Sequence, residues 1–180
     1  MLLAAAKRVV CCDGATDAYR RRFRKWPDVV SGDFDSVRSR RVPCHVIHDA
    51  DQDTNDLEKA MAYCAKQGWR DPVIVGATGK REDHTLGNVF RALDWGCEIV
   101  TDTGRFVPVC GKASFKVAKG TAVSVFAPDP KTRMTSKGLK WPLAPVKFRN
   151  LYCATLNRAT ASRVTLTTTK PVSVFIEERK

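Results

Sequence analysis

The sequence lacks any apolar run of roughly eighteen residues, so no membrane-spanning helix is expected. Its first residues, MLLAAAKRVV, have too short an apolar segment for a secretory signal and place their charges on the wrong side. The seven cysteines include no CxxC pair and no zinc-finger spacing with histidine. These absences predict a cytoplasmic protein with free, mostly buried thiols and no membrane partner.

Acidic residues are scarce in the last part of the chain. Residues 104–180 hold 15 Lys and Arg but only 3 Asp and Glu, whereas residues 1–103 hold 16 of each. The formal charge of +12 therefore falls on the second part, which predicts two domains, 1–103 and 104–180, with different tasks. No aromatic RNA-binding signature, zinc finger or helix-turn-helix pattern accompanies the charge, so a nucleic-acid partner is not favoured.

Short apolar runs alternate with helical patterns over the first hundred residues. The runs are rich in Val and Ile, as in strands buried on both faces, and span 8–12, 28–31, 44–47, 72–76 and 97–101. Apolar residues at helical spacing follow in 57–65, with Asp53 or Thr54 as the N-cap and Gly68 as the end, and again in 86–93. This alternation predicts the α/β class, with a doubly wound, mostly parallel sheet in the N-terminal domain.

The pattern changes after residue 103. Short β-rich stretches follow, punctuated by Gly, Pro and Lys, and no helical pattern of similar strength accompanies them. We therefore predict that the smaller C-terminal domain is an antiparallel β sandwich or barrel.

Aspartates follow three of the predicted strands. Nine of the 19 acidic residues lie between positions 13 and 56, and all nine are Asp. Those that come directly after strands are Asp13, then Asp33 and Asp35, then Asp51, Asp53 and Asp56. Ligands bind at the carboxyl ends of parallel strands, and neighbouring carboxylates repel unless a cation neutralises them. Any single Asp is explained as a turn or cap residue, but three clusters together favour a Mg²⁺ site.

The stretch GATGKREDHTLGN, residues 76–88, joins a predicted strand to a predicted helix. It is not a Walker A loop, because the residue five positions before Gly79 is Ile74. Its glycines still allow the backbone to approach an anion, and Lys80 and Arg81 add charged donors. The stretch therefore predicts a phosphate-binding loop of another kind.

The helix that follows carries three further polar residues of interest. Asp83 lies in its first turn, where a carboxylate also offsets the helix dipole. His84 and Asn88 are four residues apart and share a face. A lone helical histidine more often makes a structural hydrogen bond than binds a ligand. His84 is therefore a candidate binding residue only because other candidate site residues surround it.

Five ordered motifs together resemble the thiamine pyrophosphokinase family. They are CCDGA (11–15), SGDFDSV (31–37), DQDTNDLEKA (51–60), GATGKREDHTLGN (76–88) and SKGLKWPL (136–143), and they cover nearly the whole chain. The resemblance implies an α/β domain followed by a β sandwich. It also implies Mg²⁺-dependent transfer of pyrophosphate from ATP to the hydroxyl of thiamine, and homodimers that bind thiamine between subunits.

The resemblance also implies three groups of site residues. Around Mg²⁺ and the reacting phosphates it implies Asp33, Asp35, Asp53, Asp56 and Asp83, the first three as metal ligands. For ATP it implies Asp13, Gly32, Ser36, Lys80, Arg81, His84 and Asn88. For thiamine it implies Gln52, Thr135, Ser136 and Trp141, the last three from the partner subunit. An indole face suits a cationic heterocycle, although a single tryptophan in a β domain is as readily a packing residue.

The chain departs from the family pattern at several positions. Lys80 replaces a second Gly, Asn55 replaces Thr, and Lys137 replaces a small polar residue before Gly138. About ten residues precede CCDGA, where the family has a strand and a glycine-containing loop. We therefore expect one nucleotide contact and the edge of the sheet to differ.

Direct in-line attack of the thiamine hydroxyl on the β-phosphorus of ATP is the mechanism that the resemblance implies. Either Asp56 or Asp83 would accept the hydroxyl proton. Three alternatives remain at this point: a pyrophosphokinase for another alcohol such as a hydroxymethylpterin, a nucleic-acid binder that uses the basic domain, and an inactive enzyme.

Overall fold

The computed structural model describes residues 2–32, 43–48 and 54–178. The chain divides into two compact units, Met1–Arg70 and Asp71–Lys180. No helix within the described residues is long and apolar enough to cross a membrane. The boundary that charge predicted between residues 103 and 104 stays a prediction.

The first unit contains a parallel sheet of three strands. Its elements are α1 (Leu2–Ala5), β1 (Val10–Cys12), α2 (Asp13–Phe23), β2 (Val29–Gly32), β3 (His45–His48) and α3 (Asp56–Lys66). The strand order is β1-β2-β3, and α2 connects β1 to β2 while α3 packs against both. Three of the apolar runs thus form the parallel sheet that the sequence predicts.

Helix α3 begins at a different cap from the one expected. The side chain of Asn55 accepts a hydrogen bond from the backbone N–H of Glu58 at 2.9 Å, and Glu58 accepts one from the N–H of Asn55 at 3.2 Å. This capping box makes the prediction of Thr54 wrong, while Asp53 lies outside the described residues. Gly68, at φ 68°, follows the end of the helix as predicted.

Helix α2 was not predicted from apolar periodicity. Its buried side chains are Asp13, Thr16 and Tyr19, which recur at helical spacing but include two polar residues. The ring of Tyr19 packs 4.8 Å from that of Phe23, and Tyr19 joins Val9 in a small core. A helix with so little apolar surface gives a weak sequence signal.

The second unit is built on a mixed sheet of seven strands. Its elements are β4 (Val73–Val75), α4 (Glu82–Asp94), β5 (Glu98–Val100), β6 (Gly104–Lys116), β7 (Ala122–Phe126), β8 (Met134–Lys137), β9 (Ala154–Arg158) and β10 (Arg163–Glu177). Strands β4 and β5 are parallel and joined by α4, and the remaining pairs are antiparallel. The order is β4-β5-β6-β10-β7-β9, with β8 also paired to β10. The α/β class with an added antiparallel β structure is therefore confirmed.

Strand β10 organises the antiparallel part. It pairs with β6 along nearly its whole length, while its first half pairs with β8 and its second half with β7. An irregularity between Thr168 and Val172 separates the halves. The core of this unit lies against β10 and includes Leu166, Val174 and Phe148. The described strands fold over this core without closing into a barrel.

Strand β4 is less buried than its sequence suggests. Ile74 is only 8% exposed, but Val73 is 46% exposed and Val75 is 37% exposed. Burial on both faces is therefore wrong for this strand, which ends the described sheet. Leu86 of α4, which was expected on the apolar face, is also exposed.

Candidate active site

Asp13 and Gly32 meet at the carboxyl ends of β1 and β2. Asp13 is the first residue of α2 and only 3% exposed. A Cβ atom added at Gly32 would lie 2.6 Å from the Cβ of Asp13, so no larger residue fits at the end of β2 without displacing this aspartate. Two residues that were assigned separately to ATP binding are thus neighbours in the fold.

Asp56 begins α3 and influences the end of β1. Burial raises the pKa of the Cys12 thiol to about 12, and the negative charge of Asp56 adds to this rise. Because Cys12 is the last residue of β1, Asp56 acts at the same end of the sheet as Asp13. The first unit therefore gathers two of its predicted acidic residues at the expected edge.

Five of the predicted site residues lie outside the part of the chain that the structure describes. They are Asp33, Asp35, Ser36, Gln52 and Asp53. Within residues 2–32, 43–48 and 54–178, no group of three or more His, Cys, Asp or Glu could hold a metal ion. The three predicted metal ligands are all among the five, so the metal site stays a prediction.

The loop before α4 is fastened to the helix by Asn88. The side-chain N–H of Asn88 donates to the backbone carbonyl of Ala77 at 3.0 Å. Gly76 and Gly79 adopt φ values of 72° and 85°, in the left-handed region that glycine tolerates best. Asn88, which was predicted to meet the nucleotide, thus has a structural contact that shapes the loop.

Arg81 and Asp83 form a two-point ion pair at the start of α4. Arg81 donates from Nε to Oδ1 of Asp83 at 3.1 Å and from Nη2 to Oδ2 at 2.5 Å. The hydrogen bonds from Arg81 lower the pKa of Asp83 to about 2. Lys80 and His84 are exposed beside this pair. The loop therefore carries an ionised carboxylate together with two exposed cationic side chains, Lys80 and Arg81.

The predicted thiamine residues of the second unit lie on β8 and the loop that follows it. Thr135 is exposed, whereas the hydroxyl oxygen of Ser136 accepts a hydrogen bond from the backbone N–H of Leu143 at 3.0 Å. Trp141 is 51% exposed, and the ammonium of Lys140 lies 4.7 Å from the centroid of its ring. The indole is therefore a surface group rather than a core residue.

Asn157 of β9 was not predicted as a site residue. Its buried side chain hydrogen-bonds both the backbone N–H and the backbone carbonyl of Trp141. Asparagine is disfavoured inside strands, so its position between Leu156 and Arg158 in a β-rich stretch was the available signal.

Three features of the chain are typical of an ATP-dependent group-transfer enzyme. They are acidic residues at strand ends, a cationic loop that opens a helix, and an exposed indole in a β domain. Residues 1–100 match the family model for "Thiamin pyrophosphokinase, catalytic domain". The model for "Thiamin pyrophosphokinase, substrate-binding domain" matches residues 104–175. The chain belongs to the thiamin pyrophosphokinase family, whose members are ATP-dependent pyrophosphotransferases.

Known relatives agree with this family. Thiamin pyrophosphokinase 1 of Caenorhabditis elegans is 28% identical over 96% of this chain and 79% of its own length. Thiamine pyrophosphokinase 1 of Arabidopsis thaliana is 26% identical over 83% of this chain and 69% of its own length. These relatives favour neither a pterin enzyme nor a nucleic-acid binder.

Two solved structures show the same fold. A thiamin pyrophosphokinase family protein from Enterococcus faecalis superposes with a TM-score of 0.82 at 16% identity, covering 100% of this chain and 92% of that one. Thiamin pyrophosphokinase from Candida albicans gives a TM-score of 0.76 at 16% identity, covering 98% of this chain and 83% of that one.

Proposed function

We propose that this chain transfers the pyrophosphoryl group of ATP to the hydroxyl of thiamine, giving thiamine diphosphate and AMP. The observation that carries the proposal is the half-exposed indole of Trp141 in the substrate-binding domain. Its ring already makes a cation–π contact with the ammonium of Lys140. The thiazolium ring of thiamine is also a cation, which an indole face attracts. A buried tryptophan would instead have served packing.

Lys80 and Arg81 are the groups that we assign to the phosphates of ATP. Lys80 is exposed on the loop before α4 and carries a mobile point charge, whereas Arg81 offers a planar fork that suits phosphate oxygens. Asn88 fastens this loop through Ala77, and Asp13 with Gly32 shapes the strand ends on the nucleotide side. Positioning of this kind supplies much of the rate enhancement in phosphoryl transfer.

The divalent metal typical of the family is assigned to Mg²⁺, with Asp33, Asp35 and Asp53 as its ligands. The donor set fits, because carboxylate oxygens are the ligands that Mg²⁺ prefers, and Asp33 directly follows Gly32 at the carboxyl end of β2. When bound, Mg²⁺ neutralises charge on the phosphate oxygens. The roles of Gln52 and Ser36, towards thiamine and ATP respectively, rest on the family resemblance.

Asp56 is our choice for the group that accepts the proton of the thiamine hydroxyl. A carboxylate with a pKa of about 2, as in Asp83, is a weak base, because Arg81 stabilises its ionised form. Asp56, the other candidate, begins α3 at the strand ends. Asp83 would then hold Arg81 in place rather than take up the proton.

The test is product analysis with the purified protein, ATP, Mg²⁺ and thiamine. We expect AMP and thiamine diphosphate in equal amounts, because one pyrophosphoryl group moves intact. AMP that forms only with a hydroxymethylpterin would overturn the choice of acceptor. Absence of turnover together with salt-sensitive RNA binding would overturn the enzymatic proposal.

A homodimer with shared active sites is part of the proposal. Thr135, Ser136 and Trp141 would act on thiamine from the partner subunit, as the family resemblance implies. What supports this is that Thr135 and Trp141 are both exposed at the surface of the second unit.

A further inference from the structure

We propose that Asn157 is a positioning residue for thiamine, because it fixes the backbone of Trp141 and thereby holds the indole in its half-exposed place. This inference rests on the proposed function, since it takes Trp141 to be the surface that meets the acceptor. It assigns a role to a buried side chain outside the set of predicted site residues.

The contact between Asn157 and Trp141 is a pair of hydrogen bonds. Oδ1 of Asn157 accepts from the backbone N–H of Trp141 at 3.1 Å, and Nδ2 donates to the backbone carbonyl of Trp141 at 2.7 Å. The same Oδ1 also accepts from the N–H of Arg158 at 2.9 Å. Asn157 is 4% exposed, so these bonds are shielded from water. The amide of asparagine carries its donor and its acceptor on two separate atoms, so it can bond the N–H and the carbonyl of one residue at the same time.

The rest of the loop is anchored on either side of Trp141. Leu139 and Leu143 are 8% and 2% exposed, so both point into the core of the second unit. Gly138 begins the loop at φ 80°, and a Cβ there would clash with the carbonyl oxygen of Arg163. Ser136 accepts from the N–H of Leu143. The indole therefore stands at the exposed middle of a loop whose two ends are buried.

A β-bulge explains why Asn157 faces this loop. Strand β9 pairs with β7 through Val123 and Asn157 and through Val125 and Ala154, with a shift of register between them. Ala154 and Asn157 are both buried, although residues three apart point to opposite faces of a regular strand. Leu156 absorbs the irregularity at φ 63°, with its side chain 80% exposed.

Backbone strain at Leu156 points to a purpose beyond packing. A left-handed backbone is unfavourable for leucine, and an exposed leucine returns no burial in compensation. The bulge delivers one particular group, the amide of Asn157, to the backbone of Trp141. Without that amide we expect the loop to stay anchored at Leu139 and Leu143 while the indole samples several positions.

The experiment compares Asn157→Asp and Asn157→Ala with the parent enzyme. Asp keeps the shape and the acceptor but loses the Nδ2 donor. We expect the KM for thiamine to rise about tenfold, the size that loss of a buried hydrogen bond gives, with the KM for ATP and kcat within about twofold. Asn150→Ala is the matched control, because Oδ1 of Asn150 accepts a hydrogen bond from the backbone N–H of Tyr152, in a different loop of the same unit. It should leave both KM values unchanged.

A double-mutant cycle separates positioning from a general structural role. In a Trp141→Ala background, Asn157→Ala should have almost no further effect on the KM for thiamine, because the group it positions is gone. If Asn157→Ala raises this KM by the same factor in both backgrounds, the proposal is wrong. If the KM for ATP and the KM for thiamine rise equally and the Tm falls, Asn157 contributes to stability only and the proposal is likewise wrong.

A spectroscopic measurement tests the link without turnover. In protein labelled with 5-fluorotryptophan, the resonance of Trp141 is assigned by its loss in Trp141→Phe. We expect Asn157→Asp to shift or broaden that resonance and to leave those of Trp26, Trp69 and Trp95 in place. An unchanged Trp141 resonance would overturn the proposal. If the parent forms no thiamine diphosphate, or Trp141→Ala keeps the parent KM, the proposed function fails first, and the role of Asn157 towards thiamine falls with it.

Discussion

Asp33 and Asp53 are the side chains on which the metal assignment depends most. Their carboxylates would neutralise phosphate charge through Mg²⁺, so Asp33→Ala and Asp53→Ala should each lower kcat more than tenfold, or about 1.4 kcal/mol in activation free energy. Asp94→Ala is a suitable control, because Asp94 is an exposed residue at the end of α4. Steady-state production of AMP measures the effect, and a loss of less than tenfold in both variants would refute the ligand assignment.

The ion pair of Arg81 and Asp83 makes a second residue-level prediction. The pKa of Asp83 falls from an ordinary 3.8 to about 2 because Arg81 stabilises the carboxylate. The folded-state pKa is the lower one, so the pair stabilises the fold above about pH 4 and loses this contribution as the pH falls through about 2. Arg81→Gln should return the pKa of Asp83 towards 3.8 in a carboxyl ¹³C NMR titration. Lys80→Gln should change it far less, and equal shifts in the two variants would contradict the pairing.

Individual site residues differed in how far the sequence could predict them. Asp13 and Gly32 stand in short motifs that follow predicted strands, so the sequence predicts that Asp13 lies at a strand end, whereas its contact with Gly32 is known only from the structure. Asn157 stands in no such motif, and its role depends on a bulge and on a contact between segments 16 residues apart. Hydrogen bonds of this kind are set by tertiary packing, which local pattern does not encode.

Helix α3 offers a prediction at the scale of one element. Asn55 caps the helix where the family pattern has Thr, and Glu58 completes the capping box. Asn55→Ala should lower the free energy of unfolding by about 1 kcal/mol, because the N–H of Glu58 loses its acceptor. Urea unfolding measures this, and Lys66→Ala, at an exposed position in the last turn of the same helix, is the control, with little change expected. If the two variants lose equal stability, the cap has been misassigned.

Apolar periodicity predicted most elements and failed for identifiable reasons. The runs that became β1, β2, β3 and β5 and the pattern that became α4 were all read from apolar spacing. Apolar spacing does not predict helix α2, because polar residues, Asp13 and Thr16, occupy two of its three buried positions. The apolar run of β4 predicts burial on both faces, but Val73 and Val75 are exposed because burial depends on position in the sheet.

Subunit mixing tests the whole-molecule arrangement of the proposed homodimer. At a thiamine concentration below the KM, Asp33→Ala and Trp141→Ala would each strongly lower the activity of both sites of their own dimers. If each site takes Asp33 from one subunit and Trp141 from the partner, a mixed dimer carries one intact site, and random exchange of equal amounts should restore about a quarter of the parent activity. Mixing either variant with itself is the control. Exchange without recovery would show that each site belongs to one chain.

The net charge of the whole molecule leads to a prediction about ATP capture. Several basic residues lie on the exposed face of the seven-stranded sheet. Lys116 of β6 lies opposite Arg163 of β10, Lys137 of β8 lies opposite Thr165 of β10, and Lys112 lies further along β6. Residues 104–116, 134–137 and 163–176 contain no Asp or Glu. A charge of +12 with such a face should draw anionic ATP towards the protein, so the association rate constant should fall about threefold or more between roughly 20 and 200 mM KCl.

Charge reversal at Lys112, Lys116 and Arg163 separates steering from contact. These residues lie outside the proposed site, so the triple Glu variant should keep its kcat while the association rate constant for a fluorescent ATP analogue falls and becomes less sensitive to salt. Exchange of Lys for Arg and of Arg for Lys at the same positions preserves the charge and should preserve the rate. Stopped-flow fluorescence measures both. An association rate that ignores salt in the parent protein would mean that the basic face has no part in ATP capture.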